Sequence, residues 1–89
     1  MKKPRELERI TKGFANHRRI EILELLNKTP ELSLSEISDK FKSNLKTTGE
    51  HVRKLAIASL VWKRYEGNIV HHKLSPRGKS ILKFLRILE

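Results

Sequence analysis

Apolar residues in the first third of the chain recur every three or four positions, which is the spacing of one face of an α-helix. They are Leu7, Ile10 and Phe14 in a first stripe and Ile20, Ile22, Leu23, Leu25 and Leu26 in a second. The first stripe predicts a helix over residues 4–14. The second predicts a longer, more buried helix that Asn16 can cap and that ends near Asn27, just before Pro30.

Two shorter helical stripes follow, each after a residue typical of a helix start. Ser33 and Glu36 have the spacing of a capping box, which predicts a short third helix carrying Leu34, Ile37 and Phe41. Asn44 is the expected N-cap of a fourth helix. The inner stripe of that helix is predicted to be Leu45, Thr48, Val52 and Leu55. Two short helices joined by about three residues have the proportions of a helix-turn-helix.

The last third changes to a strand pattern and then returns to a helix. Runs at residues 60–65 and 69–74 are rich in β-branched and aromatic residues, and a Glu-Gly-Asn segment separates them, which predicts a β-hairpin. Ser75 followed by Pro76 is typical of a helix start, and the helix after it is apolar almost all round. We therefore predict a mainly α fold with a small β-hairpin, in the order helix, helix, helix, helix, strand, strand, helix.

Length and composition restrict this pattern to one small domain. The chain has 89 residues with no cysteine, which excludes disulfides, thiolate zinc sites and a cysteine nucleophile. No apolar run approaches the roughly 20 residues that span a bilayer, and the basic start lacks the apolar stretch of a signal peptide. We expect one domain over residues 1–89, located in the cytoplasm with no membrane association.

The positive charge is concentrated in the second half of the chain. Residues 1–39 carry eight basic and seven acidic side chains, whereas residues 40–89 carry twelve basic and three acidic ones. A local excess of Lys and Arg attracts polyanions, of which nucleic acid is the commonest, with an acidic membrane surface or an acidic protein as alternatives. A solubilising surface rich in lysine is the simplest competing interpretation.

The free side of the fourth helix is the strongest candidate for nucleic-acid contact. Its predicted contact residues are Asn44, Lys46, Thr47, Gly49, Glu50, His51, Arg53 and Lys54. An Arg53 guanidinium could bind guanine in the major groove, although ion pairs from Glu50 to Arg53 or Lys54 are an equally concrete alternative. Gly49 either permits close approach of the backbone to DNA or is a tolerated weak point of the helix.

The hairpin supplies a second set of candidate DNA contacts. Lys63, Arg64, Asn68 and Lys73 flank its tip, where they could follow phosphates or enter the minor groove. We expect Trp62 to pack beneath the hairpin rather than to stack on a base. Because single-strand binders display several stacking aromatics and this chain has five aromatic residues, mostly on predicted core stripes, duplex DNA is favoured over RNA.

A domain of this size cannot cover an all-round apolar helix by itself, so a second copy is expected to do so. The first and last helices are the predicted dimerisation elements. The interface residues predicted there are Leu7, Ile10, Phe14, Leu82, Leu85 and Leu88.

Neither a catalytic nor a metal site is expected. No nucleophile with a base and no paired acid and base form a motif, so no enzyme is predicted. His71 and His72 are neighbours on a predicted strand and point to opposite faces, so they cannot bind one ion together, and a role in packing or at the DNA backbone is favoured. No cofactor is predicted.

The predicted order is that of a winged helix-turn-helix, and the residues from about Ile10 to Gly78 resemble the arsenic-repressor (ArsR) type of regulators. In that comparison the hairpin, about residues 60–75, is the wing. The resemblance rests on Lys12, Ala15, Asn16, Arg19, Ile22 to Leu26, Leu32 to Ile37, Thr47, His51, Arg53, Leu55, Ala58 to Val61, Gly67, Val70, Lys73 to Pro76 and Gly78. Ser59 stands where the family usually has Gly before the wing. The cysteine pair and the Asp, His and Glu ligands of metal-sensing members have no counterpart here.

The resemblance implies a homodimeric, sequence-specific regulator of transcription, most simply a repressor that occupies a promoter and resides on the nucleoid when bound. Two alternatives stay open at this point. One is a non-specific, chromatin-like DNA-binding protein, and the other is a winged helix used for contacts between proteins. The operator, any inducer and the regulated genes are not encoded in these patterns.

Overall fold

The computed structural model describes residues 2–89 and contains the predicted helices in the predicted order. The elements are α1 (Pro4–Phe14), α2 (His17–Lys28), β1 (Leu32–Ser33), α3 (Leu34–Phe41), α4 (Leu45–Ile57), β2 (Val61–Glu66), β3 (Ile69–Leu74) and α5 (Pro76–Ile87). The winged helix-turn-helix fold class is thereby confirmed, with one short strand, β1, that the sequence pattern did not predict.

The helix starts lie where the capping residues predicted them. Asn16 accepts a hydrogen bond from the Arg19 amide at 3.1 Å, and Asn44 accepts one from the Thr47 amide at 2.8 Å. Ser33 and Glu36 form both bonds of the capping box, and these bonds hold the pKa of the Glu36 carboxyl below its usual value. Each cap satisfies amides that have no partner inside the helix, which fixes the residue at which the helix begins.

The hairpin is part of a three-stranded antiparallel sheet with the order β1-β3-β2. Gly67 has φ +59° at the first position of the two-residue turn, as a type II′ turn requires. On the other side of β3, Leu32 pairs with His72 and Ser33 with His71. Strand β1 therefore ties the start of the helix-turn-helix to the wing.

The core surrounds α2. Ile22, Leu23 and Leu26 of its apolar stripe are buried, and Ile20 and Leu25 are partly buried. The buried apolar residues of the core are Phe14, Ile22, Leu23, Leu26, Leu32, Ile37, Val52, Leu55, Ala58, Leu60, Val61, Leu74 and Leu82. Phe14 and Leu82 were predicted to face a partner subunit, but the structure buries both side chains in the core of their own chain. Ile10 and Leu85 are partly buried against the same core.

Two further predictions of burial were wrong. Leu45, placed on the inner stripe of the fourth helix, is 53% exposed because it lies at the first position of α4, before that helix reaches the core. Trp62 is also 53% exposed, since Val61 occupies the inward position of β2 and the next residue along a strand faces outward. Periodicity identified the shared faces but not which positions on them are covered.

The exit from α4 is a Schellman motif that aims the chain into the wing. The Leu60 amide bonds to Leu55 O and the Ser59 amide to Ala56 O, both at 2.9 Å. Ser59 has φ +61°, which is the left-handed conformation that glycine adopts most easily. The backbone of this chain therefore adopts, at residue 59, the conformation that favours glycine, and the serine there is strained.

The last helix leaves apolar side chains uncovered, as predicted. Phe84, Ile87 and Leu88 are exposed on the C-terminal half of α5 and just beyond it, and Leu7 is exposed on α1. Among the exposed ones, Leu7 and Leu88 belong to the predicted interface set, whereas Phe84 and Ile87 were not predicted.

Within residues 2–89, no helix has the length and apolar character needed to cross a membrane.

Candidate nucleic-acid interface

A buried hydroxyl network sets the angle between α3 and α4. The Ser38 hydroxyl donates to the Ser43 carbonyl, and the Ser43 and Thr48 hydroxyls are 2.7 Å apart. Ser38 and Thr48 are both buried. Because buried hydroxyls must be paired, this network holds the turn and therefore the orientation of α4.

The outward face of α4 presents positive charge to solvent. Lys46, Thr47, Glu50, Arg53 and Lys54 are all exposed. Among the residues that the structure describes, no ion pair within 4.0 Å joins Glu50 to Arg53 or Lys54, so the predicted alternative of a surface ion pair is not formed. The guanidinium of Arg53 is free to bind an anion or a base edge.

Two predicted contact residues of α4 lie away from this face. A Cβ added at Gly49 would lie 3.5 Å from Leu34 Cδ2, so this position faces α3. His51 is half-buried, and its Nδ1 accepts a hydrogen bond from Arg19 Nε at 3.1 Å. Burial and the neighbouring Arg19 charge lower the pKa of His51, which favours the neutral ring that this bond needs.

Arg19 anchors α4 to the rest of the domain. Its side chain is only 9% exposed, and its Nη1 donates to the carbonyl oxygens of Lys12 and Gly13 at 2.9 and 3.2 Å. One guanidinium therefore links the end of α1, the start of α2 and the middle of α4. The sequence placed Arg19 in the family pattern without indicating this role.

The wing does not bring its four predicted contact residues together. Paired residues of antiparallel strands share a face, and Lys63 pairs with His72 whereas Lys73 pairs with Trp62. Lys63 therefore lies on one face of the sheet, and Arg64 and Lys73 lie on the other. Asn68 is exposed at the turn.

Arg64 is already engaged by carboxylates. Its Nη2 and Nε lie 2.6 and 2.7 Å from Glu31 Oε1, and its Nη1 lies 4.0 Å from Glu66 Oε1. The hydrogen bond from Arg64 holds the pKa of Glu31 below its usual value. Glu31 lies 33 residues away in the turn after α2, so spacing along the chain gave no signal for this pair.

The two adjacent histidines have different surroundings, as opposite faces of a strand require. His71 Nδ1 lies 2.9 Å from Glu31 O and its Nε2 lies 2.9 Å from Glu66 Oε1. These two acceptors raise the pKa of His71. His72 is buried, with Nδ1 2.9 Å from Leu32 O, and burial lowers its pKa. The described part of the chain holds no cluster of three His, Cys, Asp or Glu side chains that could bind a metal ion.

A groove of about 660 Å³ lies between the wing and the starts of α3 and α4. Lys63, Asn68 and Ile69 line it from the wing, and Leu45 lines it from α4. Leu45 and Ile69 are both about half exposed, and neither was predicted as a contact residue. Their exposure is a tertiary property, which the alternation of apolar residues did not indicate.

A protein-family model described as winged helix-turn-helix DNA-binding matches residues 16–56. This segment runs from the cap of α2 almost to the end of α4. No curated protein sequence matches the chain.

Solved structures of bacterial regulators are similar over nearly the whole chain. HlyU from Vibrio cholerae is 30% identical with a TM-score of 0.82, and the alignment covers 99% of this chain and 97% of that one. The transcriptional regulator HlyU from Vibrio vulnificus is 31% identical with a TM-score of 0.75, covering 92% and 85%. A fragment of Mb0332 from Mycobacterium bovis, described as a homodimeric winged helix-turn-helix DNA-binding domain and a possible ArsR-family regulator, is 26% identical with a TM-score of 0.82, covering 93% and 77%.

Proposed function

Because this chain belongs to the ArsR-type family of winged helix-turn-helix transcriptional regulators, we propose that it binds a specific double-stranded DNA operator as a homodimer and represses the adjacent promoter. The observation that carries this proposal is the outward face of α4. On it, Lys46, Arg53 and Lys54 are exposed and make no ion pair with the described residues. No catalytic role is proposed.

In the proposed complex, α4 lies in the major groove and Arg53 contacts a base. A guanidinium can donate two hydrogen bonds to guanine O6 and N7, which gives sequence preference rather than general attraction. Lys46 and Lys54 flank Arg53 on the same face and are suited to phosphate contacts. Leu45 is exposed at the first turn of α4 and in the proposed complex would contact a thymine methyl group.

On the wing, we assign the phosphate contact to Lys63. Lys63 lines the groove that it shares with Leu45 at the start of α4, so both would meet the same DNA. Lys73 lies on the opposite face of the sheet, and the Arg64 guanidinium is bonded to Glu31. Neither is as well placed as Lys63 for the DNA that α4 contacts.

A homodimer would place two copies of α4 in successive major grooves, about 34–36 Å apart. The uncovered apolar residues Phe84, Ile87 and Leu88 of the α5 end, with Leu7 of α1, are the proposed interface. Occupancy of the operator would exclude RNA polymerase, and the bound protein would lie on the nucleoid in the cytoplasm.

Selection of bound fragments from genomic DNA supplies the operator for the decisive titrations. Arg53→Ala is expected to cost about 1–3 kcal/mol of binding free energy on the operator and much less on a scrambled duplex. Lys63→Ala is expected to weaken both duplexes alike and to reduce the slope of log K against log salt by about 0.9, because one fewer counterion is released. Lys73→Ala is the matched control, because it removes a lysine from the other face of the sheet. It should change the affinity and the salt slope much less.

Two results would contradict the assignment. Equal losses on operator and scrambled DNA for Arg53→Ala would make that residue a phosphate contact and would favour a non-specific, chromatin-like protein. DNA binding that does not depend on salt, or no binding at all, would instead favour a winged helix that contacts only proteins.

A further inference from the structure

A second groove, of about 690 Å³, lies on the side of α4 that faces α1. Ile10 and Gly13 of α1 and Ile57 and Ala58 at the end of α4 give it an apolar floor, and Arg77 closes it from the start of α5. Small-molecule sites are typically concave, mostly apolar and about 300–1,000 Å³ in volume, with a few convergent polar groups. This groove has those properties, and the proposed DNA surface does not use it, except that Lys54 borders both.

The charge around the groove is strongly one-sided. Six cationic side chains and one carboxylate line it. Lys2 lies 3.8 Å from Glu6, and Lys12 lies 3.9 Å from Glu8 outside the groove. The other four cations are in no ion pair with the residues that the structure describes: they are Arg9, Arg19, Lys54 and Arg77.

Two of these arginines are held in place by the protein itself. Arg77 Nη1 donates to Ala58 O at 3.2 Å. Arg19 is nine-tenths buried, and its hydrogen bonds use Nε and Nη1. Its Nη2 bonds to no residue in the described range, and it is not sealed from solvent. A fixed guanidinium with a free donor at the edge of an apolar groove is suited to a carboxylate or sulfonate.

We propose that this groove binds a small amphipathic organic anion, whose apolar body lies on Ile10, Ile57 and Ala58 and whose acidic group is held by the surrounding arginines. A second copy of the chain does not fit the charge, because it would bring the same excess of cations to the contact. Duplex DNA does not match the apolar floor of the groove, because its phosphates are strongly hydrated.

The same site also gives the anion a regulatory role, an inference that rests on the proposed function. Lys54, Ile57 and Ala58 belong to the last turn and cap of α4, so a bound anion directly contacts the helix that is proposed to enter the major groove. Its negative charge lowers the positive potential that attracts DNA. Ligand binding is therefore expected to weaken DNA binding.

A fluorescence titration of the full chain without DNA tests the site. The probe is 8-anilinonaphthalene-1-sulfonate, an aromatic sulfonate, compared with the uncharged N-phenyl-1-naphthylamine. We expect saturable binding of the sulfonate at one site per chain. Ile57→Glu, a change at a position 70% exposed, should weaken it at least tenfold, because it removes apolar contact and adds a repelling charge. Asn27→Glu makes the same change in net charge at an exposed position outside the groove and should leave the affinity within twofold.

Removal of one cation distinguishes charge recognition from simple apolar binding. Arg9→Gln should weaken the sulfonate several-fold and leave the neutral dye unchanged. The site proposal is overturned if the sulfonate does not saturate, if Asn27→Glu weakens it as much as Ile57→Glu, or if Arg9→Gln affects both dyes equally.

The regulatory role is tested separately. At saturating sulfonate, the affinity of the wild-type chain for its selected DNA should fall at least threefold, and that of Ile57→Glu should change by less than twofold. An unchanged wild-type affinity would overturn the regulatory role. Failure of the chain to bind any DNA would overturn the proposed function, while the titration without DNA would still decide the site.

Discussion

Ser59 is the clearest point of local strain in the chain, since φ +61° at the C′ position of α4 favours glycine. We expect Ser59→Gly to raise the free energy of unfolding by about 0.5–1 kcal/mol, because the relief of strain exceeds the entropy that glycine adds to the unfolded state. Chemical denaturation measures the change. Ser80→Gly, in the interior of α5, is the matched control and should lower stability by about 0.5 kcal/mol.

The glycines at 49 and 78 have opposite roles despite both lying in helices. An added Cβ at Gly78 would overlap the carbonyl oxygen of Leu60, whereas at Gly49 it would make an ordinary contact with Leu34. Gly78→Ala should therefore cost at least about 2 kcal/mol of stability, and Gly49→Ala should gain about 1 kcal/mol from helix propensity.

The glycine at 49 also allows a test on DNA. Because this position faces α3, Gly49→Ala should leave the affinity for the operator within twofold. A large loss of affinity without loss of stability would show that DNA approaches the backbone there.

At the scale of elements, the sequence predicted what is locally determined. Asn16, Ser33, Asn44 and Ser75 cap the four helices that they were predicted to start, because a cap acts within three residues of itself. Strand β1 was missed, since two residues carry no periodicity and only pairing with β3 makes them a strand. Burial of Leu45 and Trp62 was predicted wrongly for the same reason: tertiary packing decides which part of a stripe is covered.

The candidate site divides in the same way. The outward face of α4 follows from helical spacing, and Lys46, Arg53 and Lys54 lie where that spacing put them. The bonds from Arg19 to His51 and from Glu31 to Arg64 join residues 32 and 33 positions apart, and no local pattern reports contacts at that range. Whether each of these side chains contacts DNA stays a prediction.

The geometry of the wing favours the protonated form of His71. Both ring nitrogens of His71 face oxygen acceptors, and only the imidazolium form can donate to both. The raised pKa of His71 means that its stabilising effect is complete below the unfolded value of 6.5 and is lost as the pH rises through the folded pKa. His51 and His72 have lowered pKa values, so the pH dependence of their contribution to stability is reversed. Their contribution is complete above 6.5, the unfolded pKa, and is lost as the pH falls from there through the folded pKa.

A double difference isolates the contribution of His71. The loss of unfolding free energy caused by His71→Gln should be larger at a pH below 6.5 than at about pH 9. Denaturant titrations at both values measure it, and His17→Gln, at an exposed position, provides the baseline for removing a histidine. A loss that is equal at both pH values would mean that folding does not shift the pKa of His71, and a larger loss at pH 9 would mean that the fold favours the neutral ring.

The whole molecule is expected to be a dimer. Sedimentation at micromolar concentration should give about twice 10.4 kDa. The double variant Phe84→Ser and Ile87→Ser should be a folded monomer, because both side chains are exposed, Ile87 by 79%, and contribute little to the core. Ile57→Ser, an equally exposed apolar residue on α4, should remain dimeric, and a wild-type monomer with tight operator binding would refute the interface.

The pairing of β1 with β3 also determines the order in which the sheet can assemble. Strands β2 and β3 are joined by a two-residue turn, so the hairpin can form within about 1–10 μs. Leu32 and His72 are 40 residues apart, and closing that loop costs entropy that only the folded helix-turn-helix repays. The edge strand is therefore the last to join the sheet and the first to leave it. In hydrogen exchange, the Glu31 amide bonded to His72 O should lose protection before the amides of the hairpin, and the wing can detach from α3 while α4 stays folded.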